Sequence, residues 1–197
     1  MNKEKLENIK DLLIVVDMVN GFVREGAMAS SHIEHIIPRI EKLVNEYTGE
    51  EDGVMFVKDC HEPDAVEFKR YPVHCVRNTS ESELVDELKK YEKMALVYEK
   101  NSTSAIFPSG LLDDIKKMKN LKRIVITGCC TDICVMNFAI PLQCFLDQEN
   151  RDIEIVIPKD SVETYDAPNH KAYEWNEMAY RFFEQSGIKL VKTLERK

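Results

Sequence analysis

The sequence lacks any segment with the length or composition of a membrane span, a linker or a repeat array. No apolar run in its 197 residues approaches the roughly 20 residues that cross a bilayer. The N-terminal residues are charged and are followed by only a short apolar run, which is unlike a secretory signal peptide. We therefore expect a protein that does not contact membranes, folded as a single domain over residues 1–197.

Positive charge is also scarce. The chain carries 27 Lys and Arg residues against 35 Asp and Glu residues, which gives a net charge of −8, and it has no basic tract. Because binding to nucleic-acid phosphates needs clustered Lys and Arg side chains, we do not expect a nucleic-acid partner.

Disulfide bonds are not expected, although the chain has six cysteines: Cys60, Cys75, Cys129, Cys130, Cys134 and Cys144. A chain that is 44% hydrophobic can build a core without covalent staples. Because there is also no secretory signal, we expect free thiols and a cytoplasmic location. Free thiols can act as nucleophiles or as metal ligands.

What the sequence does contain is a regular succession of apolar runs and amphipathic segments. Six runs largely lack polar alternation, as strands buried on both faces of a parallel sheet do. These runs are Leu12–Val16, Val54–Val57, Ala95–Tyr98, Ile124–Thr127, Ile153–Ile157 and Ile188–Val191. Segments with helical spacing lie between them, near residues 33–44, 84–91, 111–118, 135–145 and 173–182. The alternation predicts an α/β fold, a Rossmann-like three-layer α/β/α sandwich with a six-stranded, mostly parallel sheet.

Polar residues follow four consecutive predicted strands at the points where the strands end. Asp17 follows the first strand and Lys100 follows the third. Asp59 and His61 follow the second strand, and the turn 128–134 follows the fourth. The carboxyl ends of parallel strands lie along one edge of a sheet, where ligands bind. The sequence therefore predicts one site that these residues build together.

The turn after the fourth strand holds three cysteines, and Cys134 is the candidate nucleophile. A thiol just inside a helix N-terminus meets the positive end of the helix dipole, which favours the thiolate. A nucleophilic thiol also needs a base and a group that steadies the base, and Asp17 and Lys100 can fill these roles. The backbone N–H groups of Cys130 and Cys134 are candidates for an oxyanion hole. The alternative is that Cys134 is a buried structural cysteine.

A second group of residues has the composition of a metal site. Asp59 and His61 are two residues apart, so both point to one side of an extended segment, and His74 follows later in the chain. Two imidazoles and a carboxylate suit one divalent transition metal with open positions for water or substrate. Zinc is the first expectation, with manganese and iron as alternatives. Glu67 is a candidate fourth ligand.

The residues singled out above resemble the motifs of the isochorismatase-like cysteine hydrolases. The segment Asp17-Met-Val-Asn-Gly-Phe22 is similar to the first motif of that family, and Lys100 matches its lysine. The segment Gly128-Cys-Cys-Thr-Asp-Ile-Cys134-Val135 matches the nucleophile motif, whose last cysteine is the nucleophile. The resemblance runs from about Leu12 to Val156. It also implies a cis peptide bond between residues 129 and 130.

Within that family, the resemblance is greatest to the nicotinamidases. Asp59-x-His61 and the segment Tyr71-Pro-Val-His74-Cys-Val are similar to their metal-binding segment, and Glu67 resembles an acidic ligand found in some of them. The resemblance implies that a metal ion binds the pyridine nitrogen of the substrate. It implies no organic cofactor.

The activity implied by this resemblance is hydrolysis of a small amide, with nicotinamide converted to nicotinate and ammonia through a thioester. Phe22, Tyr71 and Phe107 stand where nicotinamidases place aromatic residues around the pyridine ring. Members of the family often assemble, so we also expect a homo-oligomer.

Two other functions stay open from the residues alone. The first keeps the fold and the three catalytic residues but acts on another small amide, a carbamoyl compound or a vinyl ether. The second is a non-catalytic thiol redox or metal sensor built on Cys129, Cys130 and Cys134, in which Asp17 and Lys100 would have no role. One local departure concerns the helix that follows Cys134, because a proline at position 141 predicts a kink or an early end there.

Overall fold

A parallel sheet forms the centre of the molecule, which a computed structural model describes for residues 3–47, 49 and 52–196. The strands in these residues are β1 (Asp11–Val16), β2 (Asp52–Asp59), β3 (Leu96–Lys100), β4 (Arg123–Cys129), β5 (Glu154–Pro158), β6 (Val162–Glu163) and β7 (Lys189–Val191). The α-helices are α1 (Asn20–Val23), α2 (Ser31–Glu34), α3 (Ile37–Glu46), α4 (Asp86–Lys89), α5 (Leu111–Lys117), α6 (Met136–Gln148) and α7 (Ala172–Gln185). Short 3₁₀ turns occupy Lys3–Asn8, Val66–Lys69, Ser80–Ser82, Glu92–Met94 and Lys159–Ser161, and a π-helical turn, Thr131–Val135, precedes α6.

The strand order places a topological switch point at the middle of the sheet. The order is β3-β2-β1-β4-β5-β7, β6 lies beside the end of β4, and the pairings are parallel. The chain moves outward from β1 to β3 and then returns to the other side of β1 with β4. In open α/β sheets, ligands bind beyond the carboxyl ends of the strands at such a point.

The predicted α/β sandwich with a mostly parallel sheet is confirmed, with one difference in strand number. The described residues contain a seventh strand, β6, which is only two residues long and pairs with the last two residues of β4. A strand of that length is too short to produce a recognisable apolar run in the sequence.

Burial of β1 on both faces explains why it carries no polar alternation. Every residue of β1 except Asp11 is fully buried. Leu12, Ile14 and Val16 belong to the hydrophobic cluster that includes α5, α6 and α7. Leu13 and Val15 belong to the cluster that includes α3 and α4. Each of these side chains contributes about 1.5–3 kcal/mol by leaving water, so β1 anchors the two helical layers on one sheet.

The sequence predicts a kink or an early end at Pro141 in the helix that follows the cysteine turn. The helix does not end there but continues to Gln148. Pro141 has no N–H group for the carbonyl of Asn137, four residues earlier. That carbonyl instead accepts a hydrogen bond from the Ser104 hydroxyl at 2.7 Å. The contact replaces the missing bond, so the helix tolerates the proline.

Two predicted helical segments are shorter than their apolar spacing suggests. Residues 33–44 are divided between α2 and α3, with Pro38 in the first turn of α3. Residues 84–91 contain only the single turn of α4 as α-helix.

No helix in the described part of the chain is both long and apolar enough to cross a membrane.

Gly128 allows β4 to approach β1 closely at the edge that carries the polar residues. Its φ is 110°, and a Cβ atom built at this position would lie 1.9 Å from the carbonyl oxygen of Val16. No residue with a side chain fits this conformation and this space. The close approach lets the Sγ–H group of Cys129 donate a hydrogen bond to the carbonyl of Asp17 at 3.1 Å.

Replacing Gly128 with alanine is expected to reduce the free energy of unfolding by about 3 kcal/mol or more, because the new methyl group would overlap the Val16 backbone. Gly187→Ala is the matched control. Gly187 also has a positive φ, of 80°, but apart from its chain neighbours no atom of the described residues lies within 4 Å of a Cβ built there, so a loss of about 1–2 kcal/mol is expected. Urea unfolding of both variants measures the difference. Equal losses would contradict the close-approach explanation.

Candidate active site

The centre of the site is the ammonium group of Lys100, which is buried at the end of β3. Its Nζ atom lies 2.8 Å from Asp17 Oδ2 and 2.7 Å from Asp59 Oδ1. The same atom lies 3.8 Å from Cys134 Sγ. The sheet makes this meeting possible, since Lys100 pairs with Asp59 across β2 and β3 and Asp17 directly follows β1. The structure therefore brings together the three residues that the sequence suggests as catalytic.

Asp17 is fully buried, and its backbone is fixed on both sides. Its N–H group donates to the carbonyl of Val57 at 2.8 Å, and its φ of 52° is in the left-handed region. Burial raises the pKa of Asp17 to about 6, although the positive charge of Lys100 opposes the rise. A carboxyl group with this pKa can accept and return a proton near neutral pH.

Cys134 lies in the π-helical turn before α6, and its side chain is buried. Burial raises the pKa of this thiol well above its usual value, although Lys100 lowers it. The sequence suggested that the helix dipole would favour the thiolate, but loss of solvent has the larger effect here. The resting thiol keeps its proton, so a neighbouring base has to remove it for the sulfur to attack.

The turn that carries Cys134 is the candidate oxyanion hole. The peptide bond between Cys129 and Cys130 is cis, in agreement with the family resemblance. The carbonyl of Cys130 accepts hydrogen bonds from the N–H groups of Ile133 and Val135, both at 3.1 Å, which closes the turn. Cys130 and Cys134 both line the same cavity. Their N–H groups are therefore the candidates for binding an oxyanion.

Asp59, His61 and His74 form a buried cluster beside Lys100. Asp59 Oδ2 lies 2.9 Å from His61 Nε2 and 3.1 Å from His74 Nε2. One ligand atom from each of the three residues lies within 4.8 Å of the other two. Ligand atoms about 2.1 Å from a tetrahedral zinc ion are roughly 3.4 Å apart, so only small adjustments would be needed. The cluster can hold a divalent metal ion.

The other nitrogen of each imidazole is oriented by an acceptor. His61 Nδ1 lies 2.9 Å from Asn101 Oδ1, and His74 Nδ1 lies 2.7 Å from the carbonyl of Pro72. Both oxygens accept hydrogen bonds, so the proton of each neutral ring belongs on Nδ1 and the Nε2 lone pair is directed at the cluster. Three protein ligands with room for further ligands are typical of a catalytic metal site.

The electrostatic environment keeps Asp59 available as a ligand. Burial alone would raise its pKa, but the positive charge of Lys100 holds the pKa well below its usual range. Glu67 Oε1 lies 4.0 Å from His61 Nε2, and Glu67 also lines the cavity. Glu67 therefore lies at the edge of the cluster, outside the group of three candidate ligands.

A cavity of about 350 Å³ opens onto both Cys134 and the candidate metal cluster, which it reaches at Asp59 and His74. Phe22 and Tyr71 also line it, as expected for residues around a substrate ring. Phe107 does not: its side chain is 75% exposed, and it is absent from the described residues that line the cavity. It lies in the irregular segment between β3 and α5, and the structure does not bring it to the cavity with the other predicted site residues.

Some residues at the site were not suggested by the sequence, among them Phe68, Asn101 and Tyr165. The ring of Phe68 packs on the cluster, with its centroid 5.2 Å from that of His61. Asn101 orients the same imidazole, and its position directly after Lys100 was an available signal. Tyr165 lines the cavity but lies beyond the part of the chain that carries the family resemblance.

Comparison with known proteins agrees with this arrangement. A family model described as Isochorismatase domain matches residues 11–189. Nicotinamidase 1 of Arabidopsis thaliana is 35% identical over 179 residues, which cover 81% of this chain and 72% of that protein.

Two solved structures also resemble this one closely. The crystal structure of nicotinamidase PncA from Bacillus subtilis has a TM-score of 0.78 and 27% identity, over 93% of this chain and 100% of that one. The crystal structure of N-carbamoylsarcosine amidase from Thermoplasma acidophilum has a TM-score of 0.75 and 26% identity, over 96% of this chain and 99% of that one. The similarity thus extends over nearly the whole fold. With the family model spanning residues 11–189, the chain belongs to the isochorismatase-domain family.

Proposed function

We propose that this protein is a metal-assisted cysteine amidohydrolase that converts nicotinamide to nicotinate and ammonia. The observation that carries the proposal is that the Cys134 thiol and the metal cluster share one cavity and are joined through Lys100. A divalent ion bound there supplies a Lewis-acid site for a ring nitrogen, which orients the ring. The similarity to the Arabidopsis nicotinamidase supports the same activity.

The ion would be held by Asp59, His61 and His74, with Glu67 close enough to join them. Zinc is the proposed ion, because two imidazoles and one carboxylate are a common set of ligands in catalytic zinc sites. Manganese and iron accept the same donors and are the alternatives.

In the first half of the reaction, Asp17 takes the proton of the Cys134 thiol while the sulfur attacks the amide carbon. Lys100 lies 3.8 Å from the sulfur and stabilises the negative charge that forms there. The N–H groups of Cys130 and Cys134 stabilise the oxyanion. Protonated Asp17 then gives its proton to the amide nitrogen as the C–N bond breaks, which releases ammonia and leaves a thioester.

In the second half, the ionised Asp17 removes a proton from water as the water oxygen attacks the thioester carbon. The C–S bond breaks, the acid product leaves, and the proton held by Asp17 returns to the Cys134 sulfur. One group can serve as base and acid in turn because its pKa, about 6, lies close to the working pH.

Hydrolysis of a non-aromatic amide or carbamoyl compound is the second candidate function. The likeness to N-carbamoylsarcosine amidase favours it, and so does the position of Phe107 away from the cavity. A substrate without a ring nitrogen would have no such use for an ion at the cluster. Metal dependence of the reaction therefore separates the two candidates.

Cys134→Ala is expected to lower the rate of ammonia release from nicotinamide by at least about 1,000-fold, because it removes the proposed nucleophile and with it the thioester route. The temperature of thermal unfolding should change little, since the substitution removes only the sulfur atom of a side chain that lines the cavity. Cys144→Ala, which alters an exposed cysteine, is the control and should keep the wild-type rate. Turnover by Cys134→Ala at the wild-type rate would rule out the proposed nucleophile.

The pH dependence of kcat/KM is expected to follow the ionisation of Asp17. The pKa of this group is raised to about 6, and the base form exists above that pH, so kcat/KM should fall about tenfold per pH unit below it. The ammonia-release assay from pH 5 to pH 8 measures this, with circular dichroism at each pH as the control for folding. A profile that stays flat down to pH 5 would contradict the role of Asp17.

Removal of the metal ion is expected to stop ammonia release from nicotinamide, and added zinc, manganese or iron should restore it. Asn101→Ala should weaken metal binding by about 10- to 100-fold, because Asn101 orients the His61 ring. His35→Ala is the control, since His35 is an exposed histidine outside the cluster. Metal content and metal titrations measure both effects. Full activity of metal-free protein would favour the second candidate function.

A further inference from the structure

A second group of aromatic and polar contacts surrounds His170, beyond the candidate catalytic and metal-binding residues. The imidazole of His170 is stacked between two aromatic rings: its centroid lies 3.8 Å from that of Tyr165 and 4.7 Å from that of Trp175, with interplanar angles of 8° and 10°. His170 is buried although it lies in the connection before α7. The His170 ring is held on both faces, and its nearly parallel contact with Tyr165 fixes the plane of the Tyr165 ring.

Both ring nitrogens of His170 face hydrogen-bond acceptors. Nδ1 lies 2.9 Å from the carbonyl of Tyr165, and Nε2 lies 2.9 Å from Asp132 Oδ2. These two contacts fix the orientation of the imidazole within the stack, because turning the ring would break both of them.

Asp132 and Tyr165 connect this stack to the active site from two directions. Asp132 belongs to the π-helical turn that carries Cys134, and its Oδ1 atom is buried with no hydrogen-bond partner among the described residues. The carboxylate therefore depends on His170 for its stabilisation. Tyr165 lines the cavity together with Cys134. His170 thus joins one wall of the cavity to the turn that holds the nucleophile.

We propose that Tyr165 is a specificity-determining residue whose ring forms a flat wall for the planar ring of the substrate. His170 and Asp132 are positioning residues that hold this ring beside the π-helical turn that carries Cys134. The inference rests on the proposed function, because only a substrate with a planar ring uses such a wall. An aromatic wall acts equally on the ground state and the transition state, so it contributes to KM more than to kcat.

The closing experiment uses steady-state kinetics on nicotinamide and the fluorescence of Trp175, which is the single tryptophan of the chain. Tyr165→Ala is expected to raise KM about tenfold while kcat changes less than about threefold, in line with the loss of one aromatic contact. Tyr165→Phe keeps the ring and should restore the wild-type KM. Binding of the product nicotinate should alter Trp175 emission in wild type and in Tyr165→Phe, but not in Tyr165→Ala.

His170→Gln tests the positioning role. This variant loses the stack, so KM should rise about threefold or more and the response of Trp175 to nicotinate should disappear. Tyr173→Ala, which removes a tyrosine that is 76% exposed on α7, is the matched control and should leave KM unchanged.

The outcomes separate this inference from the proposed function. No ammonia from nicotinamide with wild-type protein would overturn the proposed function and the substrate-ring wall together. Wild-type turnover combined with an unchanged KM in Tyr165→Ala would overturn the wall alone. An unchanged fluorescence response in His170→Gln would overturn the positioning role.

Discussion

The site depends on one interaction, the contact of a buried ammonium group with two buried carboxylates. Lys100 meets Asp17 on one side and Asp59 on the other, and all three are almost fully shielded from solvent. None of these charges would be stable there without its partners, since an isolated buried charge is costly. Asp17 is the proposed base for the thiol and Asp59 is a candidate metal ligand, so Lys100 joins the two halves of the candidate site. The three charges sum to −1, which suits an added cation.

This contact forms because the parallel strands that carry the three residues end at the same edge of the sheet. β1 and β4 lie side by side at the switch point, and β2 and β3 lie on the other side of β1. Asp17, Asp59, Lys100 and the cysteine turn therefore reach one edge from four different strands. Gly128 completes the arrangement, because its missing side chain lets β4 reach the backbone of β1 where the turn begins.

Much of the fold and of the site could be predicted from the sequence, because strand ends and apolar runs are local features. The candidate catalytic and metal-binding residues follow from these features and from the family motifs. Other features depend on contacts between distant segments. Pro141 is tolerated because Ser104 supplies the missing hydrogen bond. The pKa of the Cys134 thiol is raised by burial, and this burial cannot be read from the neighbouring residues in the sequence. The contact of Tyr165 with the cavity depends likewise on how the C-terminal segments pack.

The central claim is that Cys134 attacks the amide and carries the acyl group as a thioester. Mass spectrometry of protein that is quenched with acid during turnover of nicotinamide tests this claim most directly. We predict a fraction of the protein heavier by one nicotinoyl group, with the added mass on the peptide that contains Cys134. Protein that turns over nicotinamide rapidly, yet carries the added mass on another residue, would contradict the mechanism.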